Sequence, residues 1–281
     1  MFLKTDLETQ SVSDVLAFFG IEIPREITRI GDGIANHSYI AKTNQGEYVV
    51  KFLVAQTTKN IENDIIIQKQ LRRVGINTPL YIQNKDGRYI FNNNDTSAVV
   101  SERIDGVIPR KVMGKLAKDI GQKLAIFHKS VLKLSYPNNK GLMNPKVSGI
   151  VSELFAQSLP KGIIHGDLHN GNILVDPAEK DSVVAILDFE EAGENLYIVD
   201  LAVTLMSVCT SSDENIVDTD LMQAVTSGYE SVRQLSKEEK YWLPEAIKYS
   251  AKAWIKWFNE NGYDKYAEKH QMRLNSLNWK D

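Results

Sequence analysis

The 281-residue sequence has little of several features that mark particular classes of protein. Its single cysteine, Cys209, excludes an internal disulfide framework and is typical of a protein kept in a reducing cytosol. The 33 basic and 36 acidic residues nearly cancel, so there is no positive field for nucleic acid or an anionic membrane. No apolar run reaches membrane-spanning length, and the first residues lack the apolar core of a signal peptide. We therefore expect a cytoplasmic protein that binds neither nucleic acid nor membranes.

Hydrophobic residues make up 43% of the chain, enough to bury a core in one large domain or two lobes. The most informative stretch is residues 163–176, where apolar runs flank a polar centre broken by glycines. This pattern predicts a loop whose two ends are anchored in the core. The loop contains Asp167 and Asn172, and a later apolar run at 183–187 leads to Asp188.

Three oxygen-bearing side chains at the ends of short hydrophobic strands suit an enzyme that transfers phosphate. One acid can accept a hydroxyl proton, while an amide and a second acid bind magnesium beside a phosphate. Asp167 is the candidate for the first role, and Asn172 and Asp188 are the candidates for the second. Either half of the pattern alone would equally fit a polar surface turn, with Asp188 as a helix cap. The two halves together, in this order, favour the catalytic interpretation.

His165, Asp167 and Asn172, followed by Asp188 and Phe189, resemble the catalytic and metal-binding loops of a kinase-like superfamily. That superfamily includes aminoglycoside phosphotransferases, choline kinases and homoserine kinases. The resemblance implies a small-molecule hydroxyl acceptor, with ATP and Mg²⁺ as cofactors. It also implies that Asp167 is the catalytic base, that His165 braces the catalytic loop, and that Asn172 and Asp188 hold the metal. A protein kinase is disfavoured, because no Ala-Pro-Glu segment follows Asp188.

The segment 46–54 alternates as a strand and places Lys51 among apolar neighbours on one face. An ammonium group in such surroundings needs a partner, although a lysine on an edge strand that reaches solvent is the alternative. The resemblance implies that the partners are the ATP phosphates and an acid on the next helix, predicted near residues 60–74. Glu62 and Asp64 are both available there, and we assign Asp64 from its distance to the helix end.

Two further sets of nucleotide contacts are expected, one in a glycine turn and one at a hinge. Gly31 and Gly33 lie in a turn that either closes over phosphates or is a simple hairpin connection. Residues 79–103 predict a meander that completes an antiparallel sheet of about five strands. The resemblance implies that backbone groups of Glu102 and Ile104 then hold the adenine ring at a hinge.

The predicted fold is therefore α+β, a protein-kinase-like fold of two lobes. Residues 1–103 are expected to form the nucleotide-binding lobe, an antiparallel five-stranded sheet with one main helix. Residues 104–281 are expected to form a mostly helical lobe for catalysis and substrate binding. We expect a monomer or a homodimer.

Helices dominate the predicted second lobe. An apolar stripe from Met113 to Phe127 predicts an amphipathic helix that ends near His128, interpreted as a surface or packing residue. Another helix is predicted over residues 150–157, just before the catalytic loop. Asp200 lies in the first turn of a later helix, and the resemblance implies that it bonds to the catalytic loop.

The C-terminal region predicts one long helix. Ser236 and Glu239 have the spacing of a capping box. Further along this helix, Trp254 is expected to pack in the core, whereas Trp257 could pack there or line a substrate pocket.

The acceptor is predicted from resemblance alone. Residues 33–39, 160–165 and 228–233 are most similar to the homoserine kinase branch. Lys51 and the acidic pair at 190–191 instead resemble kinases of cationic substrates, because the pair could attract an ammonium group. The alternative is that the pair forms a solvated acidic turn. Homoserine is thus the leading acceptor, with choline, ethanolamine and aminoglycosides as alternatives. A non-catalytic nucleotide-binding module is the alternative from another class.

Overall fold

The computed structural model describes residues 11–30, 36–53, 58–93, 96–132, 134 and 141–277. Within these ranges the chain folds as two compact units. Unit 1 takes the described residues up to 69 and from 78 to 105, and unit 2 takes residues 70–77 and the described residues from 106 onward. The assignment of nucleotide binding to residues 1–103 and of catalysis to residues 104–281 stays a prediction.

The strands of unit 1 form one antiparallel sheet in the order β1-β2-β3-β5-β4. They are β1 (Glu26–Ile30), β2 (Asn36–Lys42), β3 (Glu47–Leu53), β4 (Phe91–Asn93) and β5 (Thr96–Glu102). Helix α1 includes residues 11–18, and α2 covers Thr58–Arg73. The predicted five-stranded antiparallel sheet is confirmed.

Strand β5 shows how alternation gives this sheet two packed faces. Ala98 and Val100 belong to the core formed with α1, whereas Val99 packs against Ile61 of α2 on the opposite face. Lys51 stands directly opposite Val99 in the register of β3 and β5. Because residues paired across an antiparallel ladder point to the same side, Lys51 leaves the sheet on the α2 face.

The predicted meander differs from the structure between residues 80 and 91. In place of a strand at 80–82, Tyr81 makes a single bridge to Ser101. The side-chain oxygen of Asn84 accepts hydrogen bonds from the backbone N–H groups two and four residues ahead. This closes a local turn, so the backbone groups there do not extend a ladder.

Unit 2 combines helices with two small antiparallel strand pairs, β6 with β9 and β7 with β8. The strands are β6 (Lys161–Ile164), β7 (Ile173–Val175), β8 (Val183–Ile186) and β9 (Gly193–Leu196). The helices are α3 (Gly114–Val131), α4 (Pro145–Ser148), α5 (Tyr197–Val208), α6 (Thr219–Glu230), α7 (Lys237–Glu260) and α8 (Asp264–Ser276). In the parts of the chain that the structure describes, no helix is long and apolar enough to cross a bilayer.

The helix predicted over residues 150–157 is wrong. Helix α4 ends just before this segment, at Gly149, whose φ of 65° is left-handed and stops helical propagation. Only Glu153–Ala156 then form a short 3₁₀ turn, which Ser152 caps. Val151 is 98% exposed although it lies three residues before the fully buried Leu154, so the two do not share one helical face against the core.

The long C-terminal helix agrees with its prediction. Ser236 and Glu239 form the capping box at the start of α7, with both reciprocal hydrogen bonds present. Trp254 and Trp257 contact each other and are only partly buried. They join an aromatic cluster between α7 and α8, in which the Trp254 ring stacks on that of Phe258.

Helices α3 and α6 cross at a pair of glycines. A Cβ on Gly121 would lie 1.9 Å from the carbonyl oxygen of Val225, and one on Gly228 would lie 1.9 Å from that of Lys118. Each glycine therefore contacts the backbone of the other helix, and the contact leaves no room for a side chain. Only glycine permits this helix separation.

We expect Gly228→Ala to lower the free energy of unfolding by about 2 kcal/mol or more, because a methyl group at the crossing must push two backbones apart. Urea unfolding followed by circular dichroism measures this change. Gly114→Ala is the matched control, because a Cβ on Gly114 would meet no atom within 4 Å. That control should leave stability unchanged or raise it by up to about 1 kcal/mol. Equal effects at both glycines would contradict this account of the crossing.

Candidate active site

The polar loop at residues 165–172 is anchored as the sequence predicted. It connects β6 to β7, and its flanking residues Ile163, Ile164, Ile173 and Val175 are all buried. Its last residues, Asn170–Asn172, form a short 3₁₀ turn. Two rigid strand ends therefore fix a loop whose polar side chains would otherwise be mobile.

Asp167 and Asn172 are joined by hydrogen bonds. The side-chain Nδ2 of Asn172 donates to the carbonyl oxygen of Asp167 at 2.8 Å and to its carboxylate Oδ2 at 3.3 Å. Both hydrogens of the amide are used in this way, which leaves its Oδ1 as an acceptor for another group. The side chain of Asp167 is 24% exposed, so its carboxylate is accessible.

Asp188 lies next to this pair because of the β7–β8 pairing. The backbone N–H of Leu187 donates to the carbonyl oxygen of Asn172 at 2.9 Å. Asp188 has a φ of 58°, a left-handed conformation that costs of order 1–3 kcal/mol in a residue other than glycine. The pairing brings the second acid to the end of the loop that carries the first acid and the amide.

His165 is buried and connects the two segments. Its Nε2 donates to the carbonyl oxygen of Leu187 at 3.0 Å, and its Nδ1 accepts from the N–H of Asp167 at 3.3 Å. The ring also lies 5.1 Å from that of Phe189. This geometry suits a bracing residue better than one that contacts a substrate.

His169 was not singled out as a site residue by the sequence. Its Nδ1 accepts from the N–H of Gly171 at 3.0 Å, which leaves Nε2 to face Asp167 Oδ2 at 3.5 Å. Burial opposes a positive charge on the ring, but Asp167 and Asp188 attract one, and the pKa of His169 is raised above its usual value. With Nδ1 accepting, Nε2 carries the hydrogen and faces the Asp167 carboxylate.

Asp200 fixes the start of the loop, as the resemblance implied. Its Oδ2 accepts from the N–H of His165 and its Oδ1 from the N–H of Gly166, both at 2.8 Å. Burial opposes ionisation of this carboxyl group, but hydrogen bonds from His128 and the backbone hold its pKa below the usual value. The site thus rests on a buried, ionised carboxylate.

The sequence left two interpretations of the acidic pair at 190–191, and the structure does not support a fully solvated turn for Glu191. Its side chain is partly buried, and its Oε2 accepts a hydrogen bond from the N–H of Leu142. Burial, together with the negative charges of Asp167, Glu190 and Asp188, raises the pKa of Glu191 to about 7. A carboxyl group of this kind lies close to the candidate base.

The predicted nucleotide-binding residues belong to unit 1. Asp64 is buried on α2 and accepts a hydrogen bond from the Tyr81 hydroxyl at 3.4 Å, whereas Glu62 on the same helix is exposed. Burial therefore favours Asp64 as the inward-facing acid, and its pairing with Lys51 stays a prediction.

The other expected adenine and phosphate contacts also stay predictions. Glu102 ends β5 opposite Tyr48, and Ile104 follows outside any strand. Gly31 and Gly33 lie outside the described residues.

The donor set of the site suits a hard cation. Asp188 supplies carboxylate oxygens, and Asn172 has a free amide oxygen oriented by its bonds to Asp167. Among the described residues, no three histidine, cysteine, aspartate or glutamate side chains are grouped to hold a metal ion. Mg²⁺ beside a nucleotide takes most of its ligands from water and phosphate oxygens, so it needs only one or two ligands from the protein.

Comparison with known proteins gives consistent results. Residues 26–235 match the model of a family described as phosphotransferase enzyme family. A homoserine kinase of Bradyrhizobium diazoefficiens is 22% identical, in a match that covers 92% of this chain and 88% of that protein.

Two solved structures share the fold. An amicoumacin kinase in complex with AMP-PNP, Ca²⁺ and Ami has a TM-score of 0.72 at 15% identity, covering 97% of this chain and 96% of that one. A microcompartment-associated aminopropanol kinase also has a TM-score of 0.72, at 16% identity, covering 93% and 94%. These similarities confirm the kinase-like α+β fold.

Proposed function

Because the chain belongs to the phosphotransferase enzyme family and is an ATP-dependent small-molecule kinase, we propose that it phosphorylates the hydroxyl group of homoserine. Asp167 is the proposed catalytic base, and His165 braces its loop. Asn172 and Asp188 are the proposed metal ligands.

One observation carries this proposal more than any other. The Asn172 amide is hydrogen-bonded to the Asp167 carboxylate, and the Leu187 N–H to the Asn172 carbonyl, within one pair of strand ends. The loop therefore offers an accessible base beside two oxygen donors, an arrangement that phosphoryl transfer needs and a simple binding module does not.

In the proposed reaction, Asp167 positions the acceptor hydroxyl and takes its proton. The hydroxyl oxygen forms a bond to the γ-phosphorus while the bond from that phosphorus to the bridging oxygen breaks, and ADP leaves. Mg²⁺, when bound, would neutralise charge on the phosphate oxygens. Asn172 and Asp188 would hold the ion, and the bonds from Asn172 to Asp167 would keep the amide oxygen turned away from the base.

The nucleotide-binding roles in unit 1 are part of the same proposal. Lys51 orients the ATP phosphates, with Asp64 as its acidic partner, and the backbone of Glu102 and Ile104 holds the adenine ring. The burial of Asp64 and the position of Lys51 on the α2 face support the pairing. Gly31 and Gly33 complete the proposed phosphate contacts.

Glu191 supports an acceptor that carries an ammonium group. Its carboxyl group is surrounded by like charges, and a cation beside it would relieve that repulsion. Homoserine has such a group, and so do aminopropanol and aminoglycosides. The similarity to a homoserine kinase over most of the chain favours homoserine among them.

Asp167→Asn should reduce kcat by about 10²–10⁴-fold, because the amide cannot accept the hydroxyl proton. ATP binding, measured by calorimetry, should persist, since Asp167 is not a proposed nucleotide ligand. Asp264→Asn, an exposed acid in the first turn of α8, is the control and should keep full activity. Wild-type turnover in Asp167→Asn would remove Asp167 from its role.

A coupled assay of ADP release should give the highest kcat/KM with homoserine in a screen that includes choline, ethanolamine, methylthioribose and several aminoglycosides. The assay runs with ATP and Mg²⁺, and the rate without acceptor is the reference. A higher value for another acceptor would replace homoserine. No release above the reference with any acceptor would favour the non-catalytic module.

Glu191→Gln should raise the KM for homoserine roughly tenfold, because one charge-assisted contact to the ammonium group is lost. The KM for ATP should not change. Glu194→Gln is the matched control, since Glu194 is exposed and pairs with Lys161 at 3.3 Å. An unchanged KM for homoserine in Glu191→Gln would show that the ammonium group binds elsewhere.

A further inference from the structure

A series of polar groups, all buried except the partly exposed Arg233, connects helix α7 to the candidate catalytic loop. Arg233 donates from Nη2 to Glu239 at 2.8 Å and from Nη1 to the Tyr229 hydroxyl oxygen at 3.2 Å. The Tyr229 hydroxyl lies 2.7 Å from His128 Nδ1, and His128 Nε2 lies 2.9 Å from Asp200 Oδ2. We call these five residues the buried network.

The donor and acceptor of the hydrogen bonds in the buried network can be assigned from its charged members, Asp200 and Arg233. Asp200 is ionised and can only accept, so His128 Nε2 carries a hydrogen and donates to it. Arg233 can only donate, so the Tyr229 oxygen accepts from it and the Tyr229 O–H is free to donate to His128 Nδ1. These directions are all satisfied when His128 is the neutral tautomer with hydrogen on Nε2 alone.

A protonated His128 would not fit this arrangement. Its Nδ1–H would face the Tyr229 oxygen, and the Tyr229 hydrogen would lose its acceptor in a site with no solvent access. Burial also lowers the pKa of His128, against the pull of Asp200. The polar hydrogens of His128 and Tyr229 both have acceptors when the imidazole is neutral.

We propose that Tyr229 and Arg233 are positioning residues for phosphoryl transfer, which act through His128 and Asp200 on the loop that carries Asp167. Arg233 orients the Tyr229 hydroxyl, and that hydroxyl holds His128 in the Nε2–H tautomer. Asp200 then has three donors in fixed positions: His128 and the N–H groups of His165 and Gly166. The inference rests on the proposed function of Asp167.

Kinetics of Tyr229→Phe test the proposal. The variant keeps the ring but leaves a buried Nδ1 without its donor, so kcat should fall roughly tenfold. The KM values for ATP and acceptor should stay within about twofold, because no network residue is a proposed ligand of either. Ser250→Ala is the matched control: its buried hydroxyl donates only to Ile247 of its own helix, at 3.0 Å, and its loss should leave kcat unchanged.

A spectroscopic measurement tests the tautomer without substrate. In wild-type protein labelled with ¹⁵N-histidine, NMR should show His128 with hydrogen on Nε2 and none on Nδ1 near neutral pH. The His128 signals are identified by their loss in His128→Gln. In Tyr229→Phe the imidazole Nδ1 loses its donor, so the ¹⁵N shift of Nδ1 should change while Nε2 stays protonated against Asp200, and the amides of His165 and Gly166 should exchange faster with solvent.

The outcomes separate this inference from the proposed function. An Nδ1–H tautomer or an imidazolium in the wild-type protein would overturn the network, and this result stands even if Tyr229→Phe fails to fold. A folded Tyr229→Phe with wild-type kcat, alongside an inactive Asp167→Asn, would overturn the positioning role alone. The expected tautomer together with an active Asp167→Asn would instead refute the role of Asp167.

Discussion

The site depends on one carboxylate that no water reaches. Asp200 is fully buried, and it is tolerated there because two backbone N–H groups and one imidazole N–H share its negative charge. The same bonds immobilise the backbone at His165 and Gly166, immediately before Asp167. The hydrogen bonds that stabilise the buried charge therefore also orient the candidate base. A change that weakens these bonds would affect both the charge and the base.

Gly166 occupies a position in the loop where any residue with a side chain would be strained. Its φ of 82° is left-handed, and a Cβ there would lie 2.6 Å from the carbonyl oxygen of Glu191. The close contact sets Glu191 against the catalytic loop, and the Leu142 N–H holds its carboxyl group from the other side. One glycine thus accounts both for the turn that presents Asp167 and for an acid beside the proposed acceptor.

Local patterns predicted much of this arrangement. The apolar flanks of the loop and the alternation around Lys51 could be interpreted because each depends on neighbours in sequence. The helix predicted over residues 150–157 is absent because the left-handed Gly149 stops a helix that the local pattern would allow. His128 was interpreted as a surface or packing residue because nothing within its own helix marks the Asp200 and Tyr229 contacts, which join residues far apart in sequence.

Those distant contacts trace back to the glycine crossing. His128 lies on α3 and Tyr229 on α6, and the hydroxyl of Tyr229 reaches the imidazole at 2.7 Å in a fully buried site. A wider separation of the helices would pull that donor away and leave two polar groups unpaired. Gly228, adjacent to Tyr229, lets α6 lie against the α3 backbone at Lys118. Packing at a position with no side chain therefore sets the distance between the Tyr229 hydroxyl and His128, the residue that also bonds to Asp200.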